Sequence, residues 1–293
     1  MRRFIALTFV LLLLAGSTLP THAQPASPHV GNSRIPKLPP VMTTYEVYVG
    51  GIHFLTAEIL FQEEADKYKT HMHAHTAGYL YKLLKWDDNV SSSGRIKGSK
   101  LQPISYQSVD TWRDKPKTTE LVFDGKGNIK ANFDPPNTDK NRETVSDEQK
   151  QGALDPVTAL LQMLAHVAVN QDCNVSVPVF DGKRRFDLNG EDKGVETVDE
   201  KDYGVYSGAA RLCAVDFNMI AGEWKDREKN KFWEKENGEK GRDAFHIWLA
   251  SLAPNVPELP VRLESESAWG PIIGHLANWH YATPEEIKDS GSK

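Results

Sequence analysis

Signatures of known catalysis are missing from this chain. It has no G-x-S-x-G elbow, no H-E-x-x-H pair, no Gly-rich phosphate loop and no cysteine in a nucleophile's setting, so the common hydrolase, metalloprotease and nucleotide-dependent classes have nothing to stand on. A surplus of base is missing too. With 35 Lys and Arg against 40 Asp and Glu the chain is net acidic, which excludes the electrostatic footprint of a nucleic-acid binder. No repeat of fixed period occurs. After residue 15 there is no second apolar run of membrane-spanning length, and only two cysteines are present, Cys173 and Cys213.

The first residues carry a pattern of their own. Met1-Arg2-Arg3, the apolar stretch 4–15 and Thr21-His22-Ala23 match the basic, hydrophobic and small-residue regions of a secretory signal peptide, expected over 1–23. The stretch is short for a transmembrane helix, and Ser17 stands where a lipoprotein signal needs cysteine. The expectation is an exported, periplasmic protein without a transmembrane segment. Loss of Arg2 and Arg3 leaves 33 basic residues against 40 acidic ones. In an oxidising compartment the two cysteines suggest a disulfide closing a loop of about 40 residues. Two buried free thiols are the alternative.

Residues 24–41 hold five prolines and little apolar content, as a disordered leader would. Tyr45-Glu46-Val47-Tyr48-Val49 and the run 52–61 then flank Gly50-Gly51, a hairpin signal. Alternation over 68–75 followed by 78–86 predicts a long strand or a bent strand pair, and Ser91-Ser92-Ser93-Gly94 reads as a turn. Residues 101–112 read as a strand. Asp124-Gly125 and Asp181-Gly182 are the strongest later hairpin cues. Ser146-Asp147-Glu148-Gln149 carries a capping pattern. Further strands are expected over 203–218, 245–252, 260–266 and 272–281, with an exposed, charge-rich hairpin tip over 223–243. One domain over 42–285 and a disordered tail over 286–293 complete the organisation.

One stretch differs from everything around it. Asp155 before Pro156 supplies an N-cap side chain and a first-turn residue whose missing N–H costs nothing, and apolar residues recur at helical spacing through 168. A core helix over about 155–169 follows. Val157, Leu160, Leu161, Leu164 and Ala168, widened by Ala159, Met163, Ala165 and Val167, leave only Thr158, Gln162 and His166 as a polar ridge. Such a helix must be surrounded on most sides, and Leu, Met and Ala on so many sides should fill the space around it. A flat sheet could cover only one side. The predicted fold class is therefore mainly β, a strongly curved antiparallel sheet (β-spiral, half-barrel or open barrel) wrapped around one apolar α-helix.

At this point the chain resembles the domain-of-unknown-function 3108 family, exported proteins of Gram-negative bacteria. The likeness rests on Tyr45-Glu46-Val47-Tyr48, Asp155-Pro156 with its helix, the segment 179–188 (Val-Phe-Asp-Gly-Lys-Arg-Arg-Phe-Asp-Leu), Ile247-Trp248-Leu249 and Pro260-Val261-Arg262-Leu263. The resemblance implies a periplasmic β-spiral or half-barrel, similar to envelope-integrity proteins of alphaproteobacteria and distantly like lipoprotein-carrier folds. It supplies no catalytic residues.

Several constellations have both a functional and a plain reading. His71, His73 and His75 project from one strand face, as shared metal ligands would, but neighbours on a strand face lie about 7 Å apart and three in a row rarely close on one ion. The plain reading, a solvated or concave strand face, is preferred, and no metal and no cofactor are expected. Thr158, Gln162 and His166 could touch a ligand inside the curved sheet or form a hydrogen-bonded seam against it. Lys183, Arg184, Arg185 and Arg262 suit an anionic envelope component or a solvated surface. Trp86, Trp112, Trp248, Trp269 and Trp279 could line a groove for acyl or glycan groups, although strand aromatics are ordinarily core. Candidate ligand contacts are thus Thr158, Gln162, His166 and Arg262. The leading functional expectation is a non-catalytic binding or scaffolding protein of the cell envelope whose partner is a protein, lipid or glycan. A carrier of lipid or lipoprotein acyl chains is the alternative, and an envelope hydrolase is a third class. An unfilled apolar cavity beside Leu160 and Leu164 distinguishes the carrier.

Overall fold

The computed structural model of the 293-residue chain describes Lys37, residues 39–136, 141–199, 203–223, Lys225, and residues 245–254, 256–267 and 269–290. The expected signal peptide, nearly all of the leader and most of the 223–243 tip lie outside the described residues. Among the described residues thirteen strands form one antiparallel sheet, in the order β7-β6-β5-β4-β3-β2-β1-β13-β12-β11-β10-β9-β8. Its centre joins the two ends of the chain, since β1 (Val41–Val49) pairs with β13 (Ile272–Tyr281). Its edges are the strands that flank the main helix in sequence, β7 (Ile129–Asp134) and β8 (Val175–Phe180). Pro178 sits in that edge strand, where its missing N–H breaks no ladder.

Between β1 and β7 the chain is a meander of β2 (Ile52–Glu64), β3 (Lys67–Thr76), β4 (Trp86–Lys97), β5 (Lys100–Trp112) and β6 (Lys115–Phe123). From β8 to β13 it continues through β9 (Arg185–Asp199), β10 (Ser207–Ala221), β11 (Phe245–Ala250) and β12 (Leu259–Ser265). The three Gly-containing hairpins form where their turn chemistry places them. Gly50 and Gly51 both take positive φ, and Asp124 Oδ1 accepts from the backbone N–H of Lys126 and Asn128 at 2.7 and 3.1 Å, with Asp181 playing the same part for Lys183 and Arg184.

Two expectations are corrected. Residues 78–86 do not continue a strand: positive φ at Gly78 and Lys85 breaks the backbone on either side, and the Leu-rich segment between them forms the short helix α1 (Gly78–Leu84). Ser91 to Gly94 is not a turn but the middle of β4. Small residues are needed there because a Cβ on Gly94 would meet the Gln102 carbonyl oxygen at 2.3 Å and the Tyr68 ring at 2.6 Å, while Ser92 is buried under the main helix. At the boundaries, Val41 opens β1 rather than closing a leader. Thr283 caps a helix, Pro284–Asp289, that runs past residue 285.

A capping box at Ser146 starts α2 (Asp147–Lys150), and Asp155 caps α3 (Pro156–Asn170) as the Asp-Pro pair requires. The segment before α3 stitches the two sheet edges: the Gly152 N–H donates to Gly127 O in the β6–β7 turn, and Leu154 exchanges backbone hydrogen bonds with Pro178 and Phe180 of β8. On one flank α3 packs Ala159, Met163 and Val167 against Val177, Leu188 and Val215. On the other, Ala165 and Leu161 meet Tyr68, Leu101 and Ile96. Strands near opposite ends of the sheet thus touch one helix, which requires the sheet to curl around it.

Candidate functional site

The polar ridge of α3 is a hydrogen-bonded seam. Thr158 is fully buried; its Oγ1 donates to Asp155 Oδ2 at 2.6 Å and lies 2.6 Å from Tyr68 Oη and 3.0 Å from Ser92 Oγ. One turn on, Gln162 Oε1 accepts from the Leu101 N–H at 2.8 Å and its Nε2 donates to Ser99 O at 2.9 Å, which ties the helix to the β4–β5 turn. His166 points to the C-terminal end instead, with Nε2 3.1 Å from Asp172 Oδ1. Burial raises the Asp155 carboxyl above the ordinary aspartate range despite the hydrogen bonds it accepts from Thr158 and Ser92.

Beside that seam the helix is not packed. Leu160, although an apolar residue in mid-helix, is 44% exposed, and together with Val157, Leu161, Leu164 and Ala168 it borders a cavity of about 350 Å³. The opposite wall is the inner face of the sheet's middle: Tyr45 and Val47 of β1, Ile59 and Phe61 of β2, Ile247 of β11 and Leu263 of β12. The expectation that the helix fills its space therefore fails along this stripe. Its flanks pack against strands on both sides of the curled sheet, and the strands between them form the far wall of the space that the leucines face.

The lining is almost wholly apolar, and two of its polar groups are neutralised locally: Thr43 Oγ1 donates to Ile59 O at 3.3 Å and Tyr45 Oη to Pro260 O at 3.0 Å. The Thr70 hydroxyl is buried there without a protein partner. Glu258 lies at the border, its pKa raised by burial, with the Arg211 guanidinium 3.7 Å away and Arg211 held in turn by Asp192 at 2.7 Å. The Cys173–Cys213 disulfide is formed, with Cα atoms 5.7 Å apart, and fastens the segment after α3 to β10 on the cavity wall.

The other candidates lie elsewhere. None of Thr158, Gln162 and His166 borders the cavity, which the adjacent apolar stripe faces instead. Arg262 is ion-paired with Glu264 and lies over the Trp248 ring at 5.5 Å; it borders a separate pocket of about 330 Å³ with Tyr48, Tyr203 and His275. On β3, the rings of His73 and His75 stack 5.1 Å apart and His73 Nε2 is 2.7 Å from Asp87 Oδ2. Among the described residues no group of three or more His, Cys, Asp or Glu side chains is placed to hold a metal. Trp86, Trp112, Trp248, Trp269 and Trp279 do not line the apolar cavity. Its wall residues on β1, β2, β11 and β12 are not among the site candidates of the sequence, although Tyr45, Val47, Ile247 and Leu263 carry the family resemblance; alternation in those strands marks them as inward-facing but not as uncovered.

The family description "Protein of unknown function (DUF3108)" matches residues 44–277, from the fourth residue of β1 into β13. The chain belongs to the DUF3108 family. This DUF3108 chain is also similar to a solved crystal structure, a beta-barrel-like protein of the domain of unknown function DUF1849 from Brucella abortus. The likeness covers 84% of this chain and 99% of that one at 10% identity, with a TM-score of 0.46. No curated protein matches the DUF3108 chain. Among its described residues no helix is long and apolar enough to cross a membrane.

Proposed function

We propose that this protein is a non-catalytic periplasmic carrier that holds an acyl chain of a lipid or lipoprotein in the cavity between α3 and the sheet. One observation carries the reading: a stripe of helix side chains, Leu160 and Leu164 at its centre, faces about 350 Å³ of space instead of a packed wall. A scaffold has no use for that vacancy, whereas small-molecule sites occupy about 300–1,000 Å³ and are lined in this way. The lining offers methylene-to-hydrocarbon contact at about 0.8 kcal/mol per buried CH₂ and few polar groups to orient a reaction. Ten methylenes would contribute about 8 kcal/mol before association costs, which makes a micromolar Kd the tightest such a chain could reach. The export pattern at the N-terminus and the disulfide support the periplasmic assignment.

The test uses a fluorescent fatty-acid probe and native mass spectrometry of protein purified from the periplasm. Saturable probe binding, lost in Leu164→Trp because the indole fills the volume, is the expected result. A folded wild-type protein that binds no probe and carries no co-purifying amphiphile would remove the carrier reading. The concave surface would then have to serve a protein or glycan partner in envelope maintenance.

A further inference from the structure

Hairpin connections in an antiparallel meander fall alternately at the two ends of the sheet. Here the two ends differ in kind. At one end lie the β1–β2 turn, helix α1 between β3 and β4, the β5–β6 turn and the β12–β13 turn; the first and last are neighbours, because Val49 pairs with Ile272 and Gly50 N–H donates to Pro271 O. Each of the four tips exposes large apolar side chains: Ile52 (62%), Tyr79 (85%) and Leu83 (69%) with Tyr81, Trp112, and Trp269 (73%). At the other end, the tips at 65–66, 98–99, 124–128 and the described part of 251–258 expose no large hydrophobic residue; the described part of the β9–β10 connection does, with Tyr203 (58%) and Val205 (52%), but it folds back onto β13, where the Tyr203 ring stacks on His275 at 5.2 Å and the Val205 N–H donates to Leu276 O. Successive tips of the first end are two strands apart, about 10 Å, so they form a row rather than scattered single residues.

Helix α1 is the extreme case. None of its residues is buried, although five of its seven are Tyr or Leu, so it contributes almost nothing to the protein's own core. Its exit is fixed to the next tip by the Arg113 N–H, which donates to Lys85 O at 2.9 Å. Cations stand among these tips: Lys82 with its ammonium 5.1 Å from the Tyr79 ring centre, Lys85, Arg113 over the Trp112 ring at 5.7 Å, and Lys115. The acids on these four tips are Asp114, 3.2 Å from Lys85, and Glu266. The row therefore carries excess positive charge on a chain of net charge −5.

We infer that this row of hairpin tips is a docking edge for an anionic lipid bilayer. Tyr and Trp favour the headgroup level, Leu and Ile the acyl boundary, and Lys and Arg keep their charge at the phosphates while their stems lie along the apolar side chains. This goes beyond the carrier reading and does not depend on the cavity being filled.

The test is flotation of the full purified chain with vesicles of phosphatidylcholine alone and of phosphatidylcholine mixed with phosphatidylglycerol. The protein should float with the mixed vesicles and much less with phosphatidylcholine. The double variant Tyr79→Ser, Leu83→Ser should bind on the order of tenfold more weakly, and Lys82→Glu with Arg113→Glu should lose the preference for the anionic lipid. All four side chains are exposed, so unfolding midpoints should match the wild type. Leu164→Trp, which fills the cavity, should float as well as the wild type whether or not the cavity binds a chain. Failure to float with the mixed vesicles, flotation unchanged in both double variants, loss of flotation in Leu164→Trp, or self-association in sedimentation that the same tip substitutions abolish would each overturn the docking edge.

Discussion

Truncating neighbouring side chains on α3 measures directly whether the space beside the helix is open. Met163 is 7% exposed; it reaches the edge of the same cavity, but most of its side chain is packed among Val177, Leu188 and Val215, so Met163→Ala removes packed contacts and opens new void, at about 2–5 kcal/mol. Leu160, three residues earlier, is 44% exposed and borders a cavity that already exists. Its truncation forfeits only the buried part of a side chain worth about 1.5–3 kcal/mol and creates no new void, so Leu160→Ala should cost about 1 kcal/mol. For a domain of this size each kcal/mol shifts Tm by about 2–4 °C, so Leu160→Ala should fall a few degrees and Met163→Ala roughly 5–15 °C. Thermal melts followed by circular dichroism, repeated in urea to check that the m-value is unchanged, give both numbers. Equal losses from the two substitutions would mean that Leu160 is packed as tightly as Met163, and the cavity would not exist in solution.

Other parts of the structure yield expectations of the same kind. Burial raises the Asp155 pKa, so the folded state holds this proton more tightly than the unfolded chain does; the stability it contributes is complete below about pH 4 and declines as pH rises through the folded value. Asp155→Asn should therefore gain on the wild type between acid and neutral pH in urea titrations, whereas Asp155→Ala, which strips the cap and strands the Thr158 and Ser92 hydroxyls, should lose about 1–3 kcal/mol. Replacing Cys173 or Cys213 by Ser opens a loop spanning 40 residues and should lower Tm by roughly 10 °C without loss of β-rich circular dichroism; an unchanged Tm would show that the pairing does not constrain the chain. Gly94→Ala should cost about 1–3 kcal/mol through the Gln102 carbonyl and the Tyr68 ring, and a neutral outcome in denaturant titration would contradict the close approach of β4 to β5.

What could be read from the sequence was local chemistry. Gly50-Gly51, Asp124-Gly125 and Asp181-Gly182 make turns from their own backbone and side-chain preferences, and Asp155-Pro156 starts a helix for the same reason; each needs only its neighbours. The curved fold class followed because a helix apolar on most sides has to be wrapped. Ser91-Ser92-Ser93-Gly94 misled because small residues signal a turn locally, while here the cause of their size is Tyr68 and α3, brought in from elsewhere in the chain. Helix α1 misled because Tyr and Leu at a hairpin tip resemble a strand unless the positive φ at Gly78 and Lys85 is known. The open face of α3 has no sequence signature at all. Leu160 and Met163 are equally apolar, and what separates them is that Met163 is packed among Val177, Leu188 and Val215, brought in from β8, β9 and β10, while Leu160 is 44% exposed.

The pairing of β1 with β13 also dictates an order of assembly. The first and last strands of the described sheet lie side by side at its centre, Val41 opposite Tyr281, so the contacts of highest sequence separation form the middle of the sheet rather than a border. A growing chain can build the β1-to-β7 meander from neighbours alone, but until residues 272–281 emerge that meander ends in β1, a nine-residue strand with one edge unpaired and Tyr45 turned toward an unfinished core. Closing so large a loop is slow, and a long apolar edge left open meanwhile is a template for pairing with other chains. Versions of the protein cut short by a single strand at the C-terminus should therefore aggregate rather than merely lose stability, and a chaperone that shelters β1 would act on the slowest step in building the fold.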